Sequence, residues 1–485
     1  MNPSHTIGLL LGLAAAALAA APARAQTPPP AGADEAGATL RRVDERRPSQ
    51  PYRLWLGTVP AELTGSWEYS DETRRNFDLD HRRARDRRVR EHEVKLEARL
   101  GLGPDLTAFG QLVALHETRS TQGSSGPQRT HELQRGELWL QWDRLGGTPW
   151  SLQLGRVPLL ERRSLWWDDD LDALRLRHAT PDWRLDTGLG RPLARVSSAE
   201  SGLAADQRQV WRHWGQGGWT WAPRQHIEAF WLLQADRSGT PEPGRAVASG
   251  SEPDTQDLHA RWLGLRASGQ WRGAAAGPAW RLAYWADAVR LRGRETRTTV
   301  DQGLVGGSRS RRLRSWALDS GATLTLDMAW RPSLTLAHAR GSGGEDSATL
   351  DANFRQTGLH ENKVRLAGVK RLRRYGELLR PELSNLAVTT LAGGLRFGSN
   401  SSLELLLHCY RQLVPGTGLA AARLSAAPLG LDRRLGRELD LVIALREWSW
   451  LELTLRLSRF EPGAAFAGDR RDAAHALELG AALNF

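Results

Sequence analysis

The sequence predicts an all-β protein, a single large antiparallel β-barrel that crosses a membrane. Three observations support this: apolar and polar side chains alternate along most of the chain, tryptophan is abundant near the ends of the alternating segments, and the last segment is amphipathic and stops on an aromatic residue. The 485 residues are 40% hydrophobic and 25% charged, with a mean hydropathy of −0.47. This composition argues against a helical membrane bundle and against a disordered polymer.

Two-residue alternation places successive side chains on opposite faces of a strand. The clearest example runs from Leu451 to Ser458, where four leucines alternate with glutamate, threonine, arginine and serine. Such segments, each about 10 residues long, recur between Gly, Pro, Ser and Asp turns, and roughly 16 to 19 of them can be drawn. Beyond residue 51 no segment approaches the about 20 apolar residues of a transmembrane helix.

The tryptophans help to choose between a barrel and a soluble β-sandwich, since both folds alternate. The chain has 21 Trp against 5 Tyr and 8 Phe. Outer-membrane barrels place such rings at the two lipid interfaces, and the competing interpretation is that they are core residues. The last strand favours the barrel, because its apolar side chains share one face up to Phe485, which resembles the sorting signal of bacterial outer-membrane barrels. Closure also removes the free edges of the sheet, whose backbone N–H and C=O groups would have no hydrogen-bond partners in lipid.

The chain divides into three parts. Residues 1–25 have the apolar core and Ala-x-Ala site of a secretory signal peptide, although no Lys or Arg precedes the core. Residues 26–51 are rich in Pro, Ala and charge and are predicted to be a flexible leader. Residues 52–485 form the barrel, which we expect in the bacterial outer membrane. The single cysteine, Cys409, excludes an intramolecular disulfide and a cysteine-ligated zinc cluster.

The charge balance is strongly basic, with 66 Lys and Arg against 55 Asp and Glu, a formal charge of +11. Lys95, Lys363 and Lys370 are the only lysines, so arginine makes up almost all of the positive charge. Arginine forks fit carboxylate and phosphate, which indicates an anionic partner. A GC-rich genome biases the composition in the same direction, and composition alone leaves both explanations open.

Two segments carry a resemblance to a known family. One is 154–176 (LGRVPLLERRSLWWDDDLDALRL) and the other is 354–386 (FRQTGLHENKVRLAGVKRLRRYGELLRPELSNL), with RELDLV at 437–442 in support. These motifs resemble the alginate-export outer-membrane porins, and the length and strand pattern agree over nearly the whole mature chain. The resemblance implies an 18-stranded barrel with an electropositive pore, through which a polyuronate passes from the periplasm to the exterior.

The candidate pore-lining residues come from two arguments. If the apolar series faces lipid, the alternate series faces the lumen. Arg156 shares the parity of Leu152 and Leu154, so its pore role rests on the family motif, which also contains Arg162. The candidates assigned to the lumen are Arg135, Arg156, Arg162, Arg175, Arg177, Arg365, Arg371, Arg396, Arg446 and Arg456, with Asp168 and Asp170 from the acidic run between them.

The acidic run at 168–172 opposes a uniformly positive lining. It either orients neighbouring arginines, or marks a cation-binding loop, or is a solvated turn, and the first and third interpretations are preferred because the glycine-containing EF-hand pattern is absent. We expect no metal and no cofactor.

Other functions have little support in the sequence. The chain shows no second zincin histidine after His131-Glu132, no G-x-S-x-G elbow and no P-loop, so we expect no enzyme. The basic runs at 81–90, 309–314 and 370–374 are interpreted as solvated loops or turns that touch lipid phosphates rather than nucleic acid.

The alternatives to polyuronate passage are a general porin for small organic anions and an outer-membrane barrel enzyme or adhesin that acts through its loops. The expected partners are an anionic polysaccharide or organic anions, outer-membrane lipid and lipopolysaccharide, the barrel-insertion machinery and periplasmic export proteins.

Overall fold

The structure is a computed structural model that describes residues 51–82, 85–161, 163–247, 253–274, 278–344 and 347–485. The expected signal peptide, the leader up to residue 50 and the candidate pore residue Arg162 lie outside the described residues.

The described residues form 22 strands, numbered here in chain order. The strands are β1 Tyr52–Leu56, β2 Val59–Arg75, β3 Arg87–Gly101, β4 Leu106–Thr121, β5 Gln128–Trp142, β6 Trp150–Leu160, β7 Asp168–Ala179, β8 Trp183–Gly190, β9 Val210–Ala222, β10 Gln225–Asp236, β11 Gln256–Gly273, β12 Ala279–Asp301, β13 Leu304–Asp327, β14 Ser333–Gly341, β15 Leu350–Asp351, β16 Lys363–Val364, β17 Leu372–Arg373, β18 Leu386–Phe397, β19 Ser401–Gln412, β20 Arg434–Leu445, β21 Leu451–Pro462 and β22 Ala474–Asn484. Among these residues no helix has the length and apolar content needed to cross a bilayer.

Eighteen of these strands close into one barrel. The thirteen strands β2–β14 and the five strands β18–β22 pair antiparallel with their neighbours in chain order. The barrel closes where β2 pairs with β22, with Trp67 opposite Leu483, so the ladder has no free edge. The prediction of an all-β, 18-stranded antiparallel barrel is confirmed.

The two ends of the barrel differ in the length of their connections. One end carries short turns, such as 102–105, 180–182 and 398–400, and this short-turn end also holds the start of β2 and the end of β22. The opposite end carries the long loops, including 191–209 and 342–385. Outer-membrane barrels keep short turns in the periplasm and long loops outside, which orients the molecule.

The outer face is apolar because the strands alternate. On β11, Leu263 and Leu265 are 54% and 61% exposed, whereas their neighbours Trp262 and Arg266 are buried. On the same strand Trp271 stacks on Tyr284 of β12, with ring centroids 4.4 Å apart, on the short-turn side. The rise from Trp271 to Leu263 is about 27 Å along the strand, or about 20 Å along the membrane normal at a tilt near 40°. This height fits the hydrocarbon core of a thin outer membrane.

Two loops from the long-loop end fold back into the lumen and fill it. The first inward loop, 161–167, links β6 to β7, and the second inward loop, 342–385, links β14 to β18. Trp166 of the first loop is buried, stacks on Phe230 of β10 with centroids 5.0 Å apart, and meets Phe354 of the second loop edge-on at 6.3 Å. The largest hydrophobic core therefore lies inside the barrel, between the two loops and the wall.

A buried ion network attaches the first inward loop to the wall. Arg266 of β11 donates to Glu161 of the loop at 2.7 Å and to Asp287 of β12 at 2.5 Å. Arg163 of the loop lies 3.2 Å from Asp287 and donates to Asp319 of β13 at 2.8 Å. Burial lowers the pKa of Arg163 to about 10. The nearby guanidinium of Arg374, in the second inward loop, lowers it in the same direction. Arg163 therefore stays charged at neutral pH and keeps its ion pairs with Asp287 and Asp319.

Replacing Arg266 with methionine should destabilise the folded barrel by about 3–5 kcal/mol, because two buried carboxylates lose their shared cation. The measurement is the temperature at which the protein loses its compact mobility in SDS gels. Arg53→Met is the control, since Arg53 pairs with Glu62 in solvent and that pair is worth about 0–1 kcal/mol. Equal shifts for the two variants would contradict the network.

Candidate functional site

The second inward loop runs the full depth of the barrel. It leaves β14 at the long-loop end, and its tip at 367–370 reaches the short-turn end. There Gly368 N–H donates to Glu404 at 3.1 Å and Val369 N–H donates to Ser402 at 3.0 Å, both near the start of β19. After the tip the chain returns along β17, which pairs antiparallel with β16 before the tip. The loop thus divides the lumen along its length.

Two of the predicted pore arginines hold the tip of this loop by its backbone. Arg396 of β18 donates to the carbonyls of Ala367 at 2.9 Å and Gly368 at 3.0 Å. Arg446, just after β20, donates to the carbonyl of Val369 at 2.8 Å. A side chain on Gly368 would begin 1.9 Å from the Glu404 carboxylate, so any larger residue there would displace the Glu404 side chain that binds the tip. Arg396 and Arg446 therefore position the loop.

A polar cavity of about 270 Å³ lies between the second inward loop and the wall formed by β2, β3, β21 and β22. Basic side chains line it from the loop and from β21, and glutamates line it from the loop and the wall. The basic members are Lys363, Lys370, Arg371, Arg373, Arg380 and Arg456, and the acidic members are Glu68, Glu91, Glu93, Glu377, Glu452 and Glu478. We call this space the charged cavity.

Three of the six cations of the charged cavity are paired with its glutamates but remain partly open to it. Lys370 pairs with Glu452, and Arg456 pairs with Glu478. Arg380 donates to the same Glu478 at 3.4 Å. The exposed fractions of these three cationic side chains are 22%, 16% and 22%. Because a guanidinium has five N–H donors, an arginine held by one carboxylate can still bind a second one.

Arg371 joins the two inward loops. Its guanidinium donates to Asp168 at 2.6 Å and to Ser164. Arg365 lies close enough to Arg396 and Glu404 to interact with them electrostatically. Alternation assigns both arginines to barrel strands, and this is wrong for each, because 342–385 is a loop whose β16–β17 ladder is separate from the barrel. Their side chains nevertheless lie inside the barrel.

Two aspartates of the acidic run each bind an arginine directly. Asp168 binds Arg371, and Asp172 accepts from both terminal nitrogens of Arg135, at 2.8 and 3.0 Å. Asp170 lies on β7 opposite Pro158, with its own N–H donating to Asp169 at 2.7 Å. The arginine-orienting interpretation therefore fits Asp168 and Asp172.

Arg135 corrects the alternation argument. It has the parity of Trp139, which is buried on the inner face, but a bulge between them shifts the register by one residue. Arg135 consequently lies opposite Leu112, which is 46% exposed on the outer face. Such a bulge reverses the faces of all residues beyond it. Arg135 thus lies on the outer side of the wall, where it also contacts the carbonyl of Ala194.

Arg156 also belongs to the outer series, as its parity with Leu154 indicates. It lies opposite exposed Leu138 on β5 and opposite Asp172 on β7, yet its own side chain is buried. Beyond this point the 191–198 segment replaces β6 as the neighbour of β5, as the bridge between Gln134 and Ser197 shows. The structure does not bring Arg156 to the charged cavity.

Arg175 and Arg177 lie on the inner series of β7 but away from the charged cavity. Arg175 is buried and gives a double hydrogen bond to Asp186, one at 2.8 Å, and another to the carbonyl of Pro158 at 2.7 Å. Arg177 lies opposite Asp186 in the ladder. Arg175 stabilises the wall, because its donors are directed at β6 and β8.

The sequence analysis does not assign several residues of the charged cavity to the lumen. The run Lys370 to Arg374, interpreted as a solvated turn, lies inside the barrel and supplies three of the cations. Glu91 and Glu93 share the parity of Lys95, which the alternation assigns to the lumen, so the same signal finds them once acidic side chains are counted. Nothing in the sequence periodicity indicates that 342–385 folds inward.

Comparison with known proteins agrees with this architecture. The family model described as "Alginate export" matches residues 59–478. The chain belongs to the alginate export family. The alginate production protein AlgE of Pseudomonas aeruginosa is 29% identical over 315 residues, covering 63% of this chain and 62% of AlgE. AlgE of Azotobacter vinelandii is 30% identical over 139 residues, covering 27% and 28% of the two chains. The alignments thus span less than two thirds of these relatives.

Solved structures support the fold of this alginate export family member. Acinetobacter baumannii OccAB4 (8% identity), Pseudomonas aeruginosa OpdK with vanillate (9%) and Pseudomonas aeruginosa OccK9 (13%) each superpose with a TM-score of 0.51. Each match covers 87% of this chain and 98% of the other. At such low identity the likeness concerns the fold alone, that of an outer-membrane barrel.

The grip of Arg396 and Arg446 on the loop tip gives a prediction. Changing both to glutamine removes three hydrogen bonds to tip carbonyls, and we expect larger and noisier single-channel conductance in planar bilayers because the tip is released. Arg175→Gln is the control, as it removes a buried arginine that does not contact the loop tip. Unchanged conductance in the double variant would show that the tip is held by other contacts.

His360 of the second inward loop gives a pH dependence. Burial lowers the pKa of His360 to about 4, against 6.5 in the released loop, so the docked loop holds neutral histidine. Docking should therefore weaken as pH falls from 6.5 towards 4, by about 1.4 kcal/mol per pH unit, and stay constant above this window. Glu382, 3.7 Å away, has a pKa raised by burial and acts in the opposite direction.

Hydrogen exchange over 359–362, corrected for the intrinsic rate at each pH, measures this effect. Protection in the wild type should fall between pH 7 and 5, and His360→Gln should remove most of that fall. An equal fall in the variant would assign the pH dependence to another group.

Proposed function

We propose that this protein is an outer-membrane channel that passes an anionic polysaccharide of the alginate type. The observation that carries the proposal is the charged cavity, where six basic side chains meet the lumen along the second inward loop and β21. Membership of the alginate export family supports the same cargo.

The mixed lining suits a polyuronate chemically. Each sugar unit of such a polymer carries one carboxylate and several hydroxyls. Lysines and arginines such as Lys370 and Arg373 bind the carboxylates, and glutamates such as Glu68 and Glu91 accept hydrogen bonds from the hydroxyls. In a wet pore each ion pair is worth about 0–1 kcal/mol. Many weak sites allow the chain to move, whereas one tight site would stall it.

The internal ion pairs keep the cations in place while the pore is empty of cargo. Lys370 and Arg456 rest on Glu452 and Glu478, and an arriving carboxylate binds donors that these glutamates leave unused. Because the Debye length is about 8 Å at physiological ionic strength, neighbouring charges of the cavity act on the polymer together.

The predicted residues then divide by role within this proposal. Arg371 and Arg456 contact the cargo, while Arg365, Arg396 and Arg446 set the position of the loop beside it. Asp168 orients Arg371. Arg135, Arg156, Arg175 and Arg177 support the wall without touching the cargo. The proposal includes lipopolysaccharide and lipid around the barrel, insertion machinery acting on the last strand, and periplasmic proteins that deliver the polymer.

Two charge variants test the proposal in planar bilayers. Changing Lys363, Lys370 and Arg373 together to glutamine should lower the anion-over-cation permeability ratio and weaken block by oligouronates about tenfold. The opposite variant, Glu68, Glu91 and Glu93 to glutamine, should raise anion preference. Each variant replaces three charged side chains of the same cavity with neutral glutamine, and the expected shifts are opposite, so each serves as the control for the other.

The added sugar separates the candidate cargoes. Oligouronates should block the wild type at lower concentration than neutral oligosaccharides of equal length. Equal block by the two sugars would end the polyuronate proposal. Block by monomeric organic anions as strong as that by oligouronates would favour a general anion porin instead.

A further inference from the structure

A second concentration of arginine lies on the outside of the barrel, at the long-loop end of β11, β12 and β13. The basic run at 309–314 supplies part of this concentration. It lies on β13, so the interpretation of this run as a loop or turn is wrong. On the outer series Arg290, Arg292 and Arg294 follow one another along β12, and all three are exposed. These residues face away from the lumen and take no part in the charged cavity.

The strand register arranges this outer face in rows. Leu265 lies beside Ala288, which lies beside Leu318, and this is the last wholly apolar row. The next row towards the long-loop end contains Leu263, Arg290 and Trp316.

The two rows beyond are basic. Arg261, Arg292 and Arg314 are direct cross-strand neighbours, and above them lie His259, Arg294 and Arg312. Each row is about 7 Å above the one before along the strands. The arginines therefore begin immediately where the lipid-facing leucines end.

These arginines lack internal counter-charges. Among the described residues Arg261, Arg292 and Arg314 have no ion-pair partner, and each has another arginine directly beside it in the ladder. Some arginines elsewhere on the outer face have a carboxylate partner, as Arg437 has in Glu461 at 2.6 Å. Like charges on directly opposed residues destabilise a sheet. An external anion would relieve this repulsion.

The rows enclose a groove that could hold such an anion. Its volume is about 570 Å³, and its floor is the backbone around Ala260, Gly293 and Leu313. The side chains around it are His259, Arg261, Arg292, Arg294, Arg312 and Arg314, with Leu350 of β15 at the edge. Its lining contains no carboxylate, in contrast to the charged cavity.

We propose that this groove binds the phosphate groups of a glycolipid of the outer leaflet, that is, the phosphorylated headgroup of lipopolysaccharide. Arginine forks bind phosphate oxygens in pairs. The position selects a lipid rather than a soluble anion, because Leu263 and Leu265 supply an apolar surface for acyl chains directly below the arginines. Trp316, over which Arg340 lies at 5.5 Å, is the ring expected at that interface. The inference depends on the orientation of the barrel and is independent of what passes through the pore.

The test compares lipid binding by the whole protein in mild detergent, using native mass spectrometry and titration with bisphosphorylated lipid A. The triple variant R261Q/R292Q/R314Q should bind about tenfold more weakly than the wild type, with the loss growing at low salt. The control R208Q/R237Q/R245Q removes three exposed arginines from loops at the same end and should bind as the wild type does.

Removing the phosphates from lipid A should weaken binding to the wild type but barely change binding to the triple variant. Equal binding by wild type and triple variant, or equal binding of lipid A with and without phosphates, would overturn the proposal. So would full occupancy of the groove by inorganic phosphate at concentrations that displace lipid A, which would identify a free-anion site. Compact SDS mobility and unchanged oligouronate block in the triple variant separate this result from misfolding and from any failure of the channel proposal.

Discussion

The need to pair every backbone N–H and C=O group within the hydrocarbon determines this structure. An open sheet leaves an edge in lipid, so the chain closes on itself, and Trp67 of β2 meets Leu483 of β22 to complete the ladder. Closure fixes which series of side chains faces outwards. The outer series must be apolar through the bilayer, and charged residues are left with two places, the lumen and the outer surface beyond the last leucine row.

Charge inside the lumen is then sorted by its access to water. Arg266 and Arg175 are buried among carboxylates and carbonyls, where an unpaired ion is costly, and each is paired with a carboxylate of the protein. Lys370 and Arg456 also have carboxylate partners but keep part of their surface open to the charged cavity. Arginine therefore supports the wall at one position and lines the charged cavity at another. The number of arginines does not distinguish the two roles. The exposed fraction of each side chain and the identity of its partner do.

Sequence periodicity predicts the barrel well because the lipid and the lumen impose opposite requirements on alternate residues. It predicts single pore residues less well, for two physical reasons. A bulge reverses parity without a strong sequence signal, and this moves Arg135 to the outer side. A loop that folds inward has no period to read, so Arg365 and Arg371 are assigned to the lumen by an argument that does not apply to them. The family motif places Arg156 close to the first inward loop, but it does not give the direction of the Arg156 side chain.

The arginine excess has more than one physical origin, which bears on the choice between an anionic partner and a biased genome. Inside, arginines are matched by nearby glutamates and aspartates, so the lumen is a lattice of pairs and not a bare positive surface. Outside, Arg261, Arg292 and Arg314 are adjacent and have no carboxylate among the described residues to offset them. A genomic bias towards arginine codons would scatter the residue over both faces and over loops. It gives no reason for three arginines to be direct cross-strand neighbours two rows beyond the last wholly apolar row, whereas an anion fixed at the membrane surface does.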